Sequence, residues 1–197
     1  MYIAEARRIL EVVDADAVER LARGLAEVRQ RGGRLFILGV GGSAGHASHA
    51  VNDFRKICGI EAYSPVDNVS ELTARINDNG WDTAYADWLR VSSLGRRDGL
   101  LVFSVGGGDR ARGISTSLVN AVEMGRSVGA FVGGVVGRNG GYTAKVGDVS
   151  VVIPALVPER VTAHTEGLCA VIWHLLVSHP LLQRAPMKWE STAEGIA

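Results

Sequence analysis

Most of the side chains able to do acid–base or metal chemistry fall in two stretches of this 197-residue chain. In the first, residues 43–56, His49 and Asp53 stand four apart, which on a helix stacks an imidazole and a carboxylate on one face. The second, ERVTAHTEGLCAVIWHLLVSHP, holds His164, Glu166, His174 and His179. If it forms one helix, Glu166 and His174 lie roughly 80° apart around the axis and about two turns along it, so both can face a common cavity. His49, Asp53, Glu166 and His174 then supply two imidazoles and two carboxylates, a donor set suited to zinc or another divalent ion, once folding brings the stretches together. Taken singly, each histidine is read more simply as a satisfied, partly buried side chain. His46 and His179 are read that way. His164 stays open, because it could begin the second helix and face the same cavity.

Glycine is the other unusual feature: 25 of 197 residues, or about 13%, against a usual ~7%. The glycines cluster where apolar runs end, at RLFILGVGGS (Gly39, Gly41, Gly42) and at GLLVFSVGGGD (Gly106 to Gly108). There they let the backbone turn sharply and approach a ligand, and a following helix N-terminus offers free N–H groups to an anion. Both loops are candidate walls of one site, although tight strand-to-helix turns need glycine in any case. Gly39-x-Gly41-x-x-Ala44, with Glu61 about 20 residues on, also matches a relaxed dinucleotide fingerprint. Some 30 helical residues precede that strand and the next helix carries its own chemistry, which disfavours a nucleotide.

These residues need a frame to position them. Residues 3–31 read as helical. Ile3, Ala6, Leu10 and Val13 are spaced for one segment; Val18, Leu21, Leu25 and Val28 line a second, capped by Asp14 or Asp16 and ended by Gly32-Gly33. Four apolar runs of strand length follow, at Leu35 to Leu38, Leu100 to Val105, SVGAFVGGVVG and Val149 to Ile153. Helical stretches intervene at 43–56, 70–77, 81–91, 110–124 and 160–178. Strands apolar throughout and alternating with helices imply a mainly parallel sheet covered on both faces: an α/β three-layer sandwich, in one domain spanning 1–197. Residues 182–197 read as a loose C-terminal tail. Trp81, Tyr85, Trp88 and Leu89 read as core or subunit interface. The N-terminal helical segment is expected to pack against a second subunit.

Composition narrows the function classes. The chain is 47% hydrophobic and carries 21 basic and 21 acidic residues, so it has no net charge with which to grip nucleic acid or an anionic membrane. No apolar run reaches the ~18 to 20 residues of a spanning helix, and the N-terminus lacks a signal-peptide layout. Cys58 and Cys169 lie far apart in apolar context, as reduced core residues of a cytoplasmic protein do.

In the order of these motifs, over about 180 residues, the chain resembles the sugar isomerase (SIS) domain family, and within it the sedoheptulose-7-phosphate (phosphoheptose) isomerases. The matching features are the long N-terminal helical segment, RLFILGVGGS, His49 with Asp53, Asn77-Asp78, FSVGGGD, and the last helix with Glu166 and His174. The resemblance implies a flavodoxin-like sandwich that assembles as a homotetramer, with sites between subunits. It implies substrate contacts at Gly41, Gly42, Ser43, Asn77 and Asp78, and phosphate binding on Ser104, Val105, Gly106 and the rest of the loop to Asp109. It places the metal on His49, Asp53, Glu166 and His174.

The chemistry that follows is aldose–ketose isomerisation of a sugar phosphate through a cis-enediol. Asp53 is assigned as base for the carbon-bound proton, His174 moves a proton between oxygens or opens the ring, and a divalent ion polarises the carbonyl. The chain departs from the family at three points. Ser104-Val105-Gly106-Gly107-Gly108-Asp109 stands where the heptose isomerases carry Ser-Thr-Ser-Gly-Asn-Ser, Asp53 replaces a glutamate, and Glu166 replaces a glutamine. Asp109 then needs Arg110 or Arg112 to offset its charge beside a phosphate. The altered loop supports an alternative, a non-catalytic SIS module that binds a sugar phosphate or a partner protein.

Overall fold

The computed structural model describes residues 1–187. Five parallel strands form one sheet in the order β2-β1-β3-β4-β5. They are β1 (Leu35–Gly39), β2 (Ala62–Tyr63), β3 (Gly99–Ser104), β4 (Phe131–Gly137) and β5 (Val149–Ile153). On one face lie α1 (Tyr2–Val12), α2 (Ala15–Gln30), α3 (Gly42–Lys56) and α8 (Val161–Ser178); on the other lie α4 (Val69–Asn79), α5 (Trp81–Val91), α6 (Thr116–Ser127) and α7 (Gly141–Val146). This is the three-layer α/β sandwich, and its sheet is wholly parallel. The order reverses between β1 and β3, and that reversal opens the crevice where ligands of such sheets bind.

The local signals in the sequence explain most elements. Asp14 caps α2, its carboxylate accepting the Ala17 N–H at 3.0 Å. Central β1 and β3 are buried along their whole length, as runs apolar on both faces require. Tyr85 is fully buried, and Trp81 and Trp88 pack against the same cluster, so these aromatics are core.

Four expectations change. The stripe Val18, Leu21, Leu25 and Val28 is buried on the chain's own sheet, because α2 lies across β4 and β5, whereas α1 stays largely exposed. Within α1 the buried residue is Ile9, while Ile3 is 83% exposed. The helix expected from 110 starts at Thr116. Residues 109–114 instead form a turn closed by paired backbone bonds between Asp109 and Ile114, with the Asp109 side chain accepting the Arg112 N–H. That is a local competition an aspartate wins in turns. Finally, the C-terminal segment is tethered from residue 181 to 185. Arg29 donates to the carbonyls of Leu181 and Leu182, the N–H groups of Arg184 and Ala185 donate to the Ile57 carbonyl, and Leu182 is buried. The rest of the expected tail, residues 188–197, lies outside the described residues. Two elements had no sequence signal strong enough to expect: two-residue β2 and six-residue α7.

The glycine loop after β3 packs backbone to backbone on the loop after β4. The carbonyls of Gly107 and Gly108 accept the N–H groups of Thr143 and Tyr142 at 2.9 and 2.8 Å. Gly107 adopts φ +69°, and a Cβ there would lie 1.9 Å from the Gly140 carbonyl oxygen. Neighbouring Gly106 has an ordinary φ and open space around its Cβ position. Gly107→Ala is therefore expected to destabilise the protein by about 2 kcal/mol or more, lowering its melting temperature by roughly 4 °C or more, with Gly106→Ala close to neutral. Calorimetry of both variants checks the contrast, and equal effects would contradict it.

Candidate metal and substrate site

The site begins where β1 turns into α3. Gly39 has no room for a side chain, since a Cβ would lie 2.1 Å from the Ser43 carbonyl oxygen. The Gly39 carbonyl accepts the hydroxyl of Tyr85 at 2.6 Å; burial raises that phenol to about pKa 12, so it stays a donor. Gly41 sits at φ +64°, ψ −129°, a conformation open to glycine, and α3 starts at Gly42. Gly41 and Gly42 are exposed and Ser43 is buried. The turn thus presents bare backbone at the head of α3.

Two turns further along α3, His49 and Asp53 face α8, which packs beside α3 and runs in the same sense. The ligand atoms of His49, Asp53 and His174 all lie within 4.8 Å of one another. Nε2 of each imidazole is 3.5 Å from Oδ2 of Asp53, whose side chain is 10% exposed while the two histidines are about half exposed. Beneath them, the buried Trp173 donates its indole N–H to Oδ2 at 3.1 Å, and Asn52 donates to Oδ1 at 3.1 Å. The carboxylate is thereby fixed in the orientation it needs toward the two rings.

The protonation of His174 tests whether a cation fits here. Its Nδ1 lies 2.8 Å from the Ala170 carbonyl oxygen, which can only accept, so Nδ1 carries the proton. In the neutral ring Nε2 is then a bare lone pair aimed at a carboxylate. Lone pair facing lone pair is repulsive, and a cation between them removes the repulsion. Two imidazoles and one carboxylate, with Trp173 and Ala170 orienting them from behind, form a set that fits a divalent ion and leaves a position open.

Glu166 does not join this convergence. Its carboxylate rests against the head of α3, where a Cβ on Gly42 would lie 2.6 Å from Oε1, and it bears on His46. Burial lowers the pKa of His46, with the Glu166 charge opposing. Glu166 therefore lies at the glycine turn at the head of α3, apart from the three-residue cluster further along the helix pair. His164 is buried, 3.0 Å from Glu5 and stacked on Tyr2; with Arg160 it ties α1 to α8. Hydrogen bonds from Arg160 first, then His164, hold the Glu5 carboxyl down at about pKa 2. His179 pairs with Glu19 at 2.9 Å, the bland role expected of it.

The remaining candidates are dispersed. Asn77 and Asp78 are exposed at the end of α4, hydrogen-bonded to each other at 3.0 Å and outside the His49–Asp53–His174 cluster. In the loop after β3, the buried Ser104 accepts the Gly107 N–H on its hydroxyl oxygen at 3.0 Å, which leaves its own O–H free to donate. Val105 and Gly106 are half-buried. Asp109 pairs with Arg112 at 3.6 Å, the compensation its charge requires, while Arg110 pairs with Glu123. Helix α6 starts too late to add its N-terminus directly to this loop. Sequence reasoning missed Trp173 and Asn52 as the supports of Asp53. The available signal was a tryptophan next to a candidate ligand in an apolar helix, since a buried indole N–H needs an acceptor.

Residues 1–137 match the SIS domain family. The phosphoheptose isomerase of Solidesulfovibrio magneticus is 32% identical over 177 residues, covering 86% of this chain and 81% of that protein. The lincomycin biosynthesis protein LmbN of Streptomyces lincolnensis is 29% identical over 189 residues; the match takes in 91% of this chain and 65% of that longer protein. Among solved structures, a phosphoheptose isomerase from Francisella tularensis superposes with a TM-score of 0.77 at 20% identity, covering 90% of this chain and 92% of the other. That likeness confirms the sandwich.

Trp173→Phe keeps the packing and removes the N–H that holds Asp53. Its expected effect is a roughly 10- to 100-fold weaker affinity for a divalent ion, read by competition with a chromogenic chelator. Unchanged affinity would remove Trp173 from the site.

Proposed function

The chain belongs to the SIS domain family, and on that basis we propose that it is an aldose–ketose isomerase acting on a sugar phosphate. The substrate best supported is sedoheptulose 7-phosphate, converted to D-glycero-D-manno-heptose 7-phosphate. The single observation that carries this reading is the convergence of His49, Asp53 and His174 from α3 and α8, with the bare glycine turn at the head of the same helix α3. Relatives named phosphoheptose isomerase support the substrate class.

The interconversion moves one proton from a carbon beside the carbonyl to the carbonyl carbon itself, and another between the two oxygens; nothing is oxidised overall. Asp53 takes the carbon-bound proton and returns it to the neighbouring carbon. His174 suits the second transfer: its Nδ1–H is anchored on a carbonyl, so Nε2 is free to accept and release a proton. A divalent ion, zinc in our reading, held by His49, Asp53 and His174 would supply a Lewis acid for the carbonyl oxygen. A carboxylate cannot bind an ion tightly and act as an efficient base at the same moment, so Asp53 and His174 alternate between those duties. Glu166, Gly41, Gly42 and Ser43 serve the substrate at the head of α3, and Asn77 and Asp78 contact it from α4. The loop from Ser104 to Asp109 meets its phosphate.

We place the protein in the cytoplasm as a homotetramer. The exposed apolar side chains of α1 (Ile3, Leu10, Val12) and α8 (Val171, Leu175) support assembly. Among the described residues no helix is long and apolar enough to cross a membrane. Both cysteines are free and buried, and burial raises both thiols, Cys58 to about pKa 12.

The test is turnover of sedoheptulose 7-phosphate by the purified protein, with and without chelator. His174→Gln and Asp53→Asn should each lower kcat by about 10²-fold or more while the circular dichroism stays unchanged. Absence of turnover by the metal-loaded protein would favour a non-catalytic module instead, a reading that the altered loop after β3 supports.

A further inference from the structure

Arg29 stands half-buried in the last turn of α2, outside the candidate site. Its guanidinium engages three backbone carbonyls. Nη1 donates to Cys58 at 2.9 Å and to Leu182 at 2.6 Å, and Nη2 donates to Leu181 at 2.7 Å. Cys58 follows the end of α3, and Leu181 and Leu182 follow the end of α8. One side chain from a third helix thus joins the far ends of the two helices that carry His49, Asp53 and His174.

The choice of a charged residue here is informative. Arg29 makes no ion pair with any described residue, and burial lowers its pKa. A half-buried cation without a carboxylate costs free energy that an apolar side chain would not. What the guanidinium adds is geometry, because its planar fork holds carbonyls of two separate segments at fixed angles. Further bonds tighten the same knot. The N–H groups of Arg184 and Ala185 both donate to the Ile57 carbonyl, at 2.8 and 3.0 Å, and the Ile57 N–H donates to the Asp53 carbonyl at 2.8 Å. The knot therefore lies one turn of α3 beyond Asp53. From it the chain continues into Pro186 and Met187, which help to wall a cleft of about 490 Å³ that Asp53 and His174 also line.

We propose that Arg29 is a positioning residue for the His49–Asp53–His174 cluster: by fastening the segment after α8 to the end of α3, it fixes the two helices at the spacing the cluster needs and holds the wall beside it. Its bearing on ion binding rests on the cation reading of that cluster; its hold on Asp53 does not.

The test uses Arg29→Met in the full-length protein, which keeps a long side chain and removes its donors. The control is Arg34→Met. Arg34 likewise donates to two backbone carbonyls, those of Ser92 and Ser93, and pairs with Asp98 at 2.9 Å, but it ties down the loop after α5 and touches neither helix of the cluster. Lost stability alone acts in both variants, so both are measured at a temperature where they stay folded. Should either methionine variant not fold, Arg29→Lys and Arg34→Lys form the matched pair, since a lysine cannot reproduce the fork. In ion-free protein the indole N–H resonance of Trp173, identified by its disappearance in Trp173→Phe, reports the bond to Asp53. It is expected to shift, and to exchange with water roughly tenfold or more faster, in the Arg29 variant and to stay unchanged in the control. Affinity for a divalent ion should weaken by about tenfold in the Arg29 variant alone. An unmoved indole resonance in the Arg29 variant, or equal changes in variant and control, overturns the proposal. Wild-type protein that binds no divalent ion, while its indole still responds to the Arg29 substitution, overturns the cation reading and leaves the positioning role standing.

Discussion

A single carboxylate, Asp53, sets the terms for the rest of the molecule. It is nearly buried, it faces two imidazoles at 3.5 Å, and one of those imidazoles, when neutral, turns a bare nitrogen toward it. With a neutral ring such an arrangement is unfavourable without a cation, and it is held by the indole of a buried tryptophan and a backbone carbonyl. Holding it requires α3 and α8 to lie side by side at a fixed rotation. The parallel sheet supplies that, because each helix follows its strand in the same direction and packs on the same face. The core beneath is accordingly unforgiving. Trp173 stacks on Phe103 of β3 and reaches Asp53, so sheet, helix and site share one side chain.

The glycines divide into two classes with different physical reasons. Gly39 and Gly41 shape a turn that leaves backbone exposed at the head of α3. Gly107, Gly140 and Gly141 allow two loops to touch backbone to backbone; a Cβ on Gly141 would lie 2.0 Å from the Gly106 carbonyl oxygen. The glycines of the loop after β3 are therefore tied to packing. The loop makes close contact with its neighbour, and it borders a basic cleft.

The legible part of the sequence was the part written in periodicity. Runs apolar throughout gave away the strands, and the i, i+4 pair His49–Asp53 needed only a helix to be correct. Elements of two to six residues, β2 and α7, are too short to show a period, and they form because their neighbours leave them no other course. The start of α6 was misplaced because Asp109 closes a turn through its side chain, an event of single hydrogen bonds rather than pattern. Helix spacing allows Glu166 and His174 to share a cavity, and the family resemblance puts both at the metal. The 80° rotation and two turns between them (on the order of 12 Å of rise) instead take Glu166 to the head of α3. Spacing along one helix says which residues can share a face; the neighbouring helix decides which of them meet.

Net charge says least about this protein. Twenty-one charges of each sign sum to zero, yet their placement is polar. Carboxylates stand between α3 and α8 at Asp53 and Glu166, while Arg138 and Lys145, which have no ion-pair partner among the described residues, stand at the loops after β4. A sugar phosphate is itself dipolar in this sense: a dianion at one end, and at the other a carbonyl that must lose and regain protons. Cationic loops set apart from these carboxylates favour one orientation of such a molecule, with its phosphate away from carboxylates that would repel it. Orientation of this kind follows from where the charges lie, and a neutral total is what allows the two regions to differ so sharply without making the protein as a whole a polyanion or a polycation.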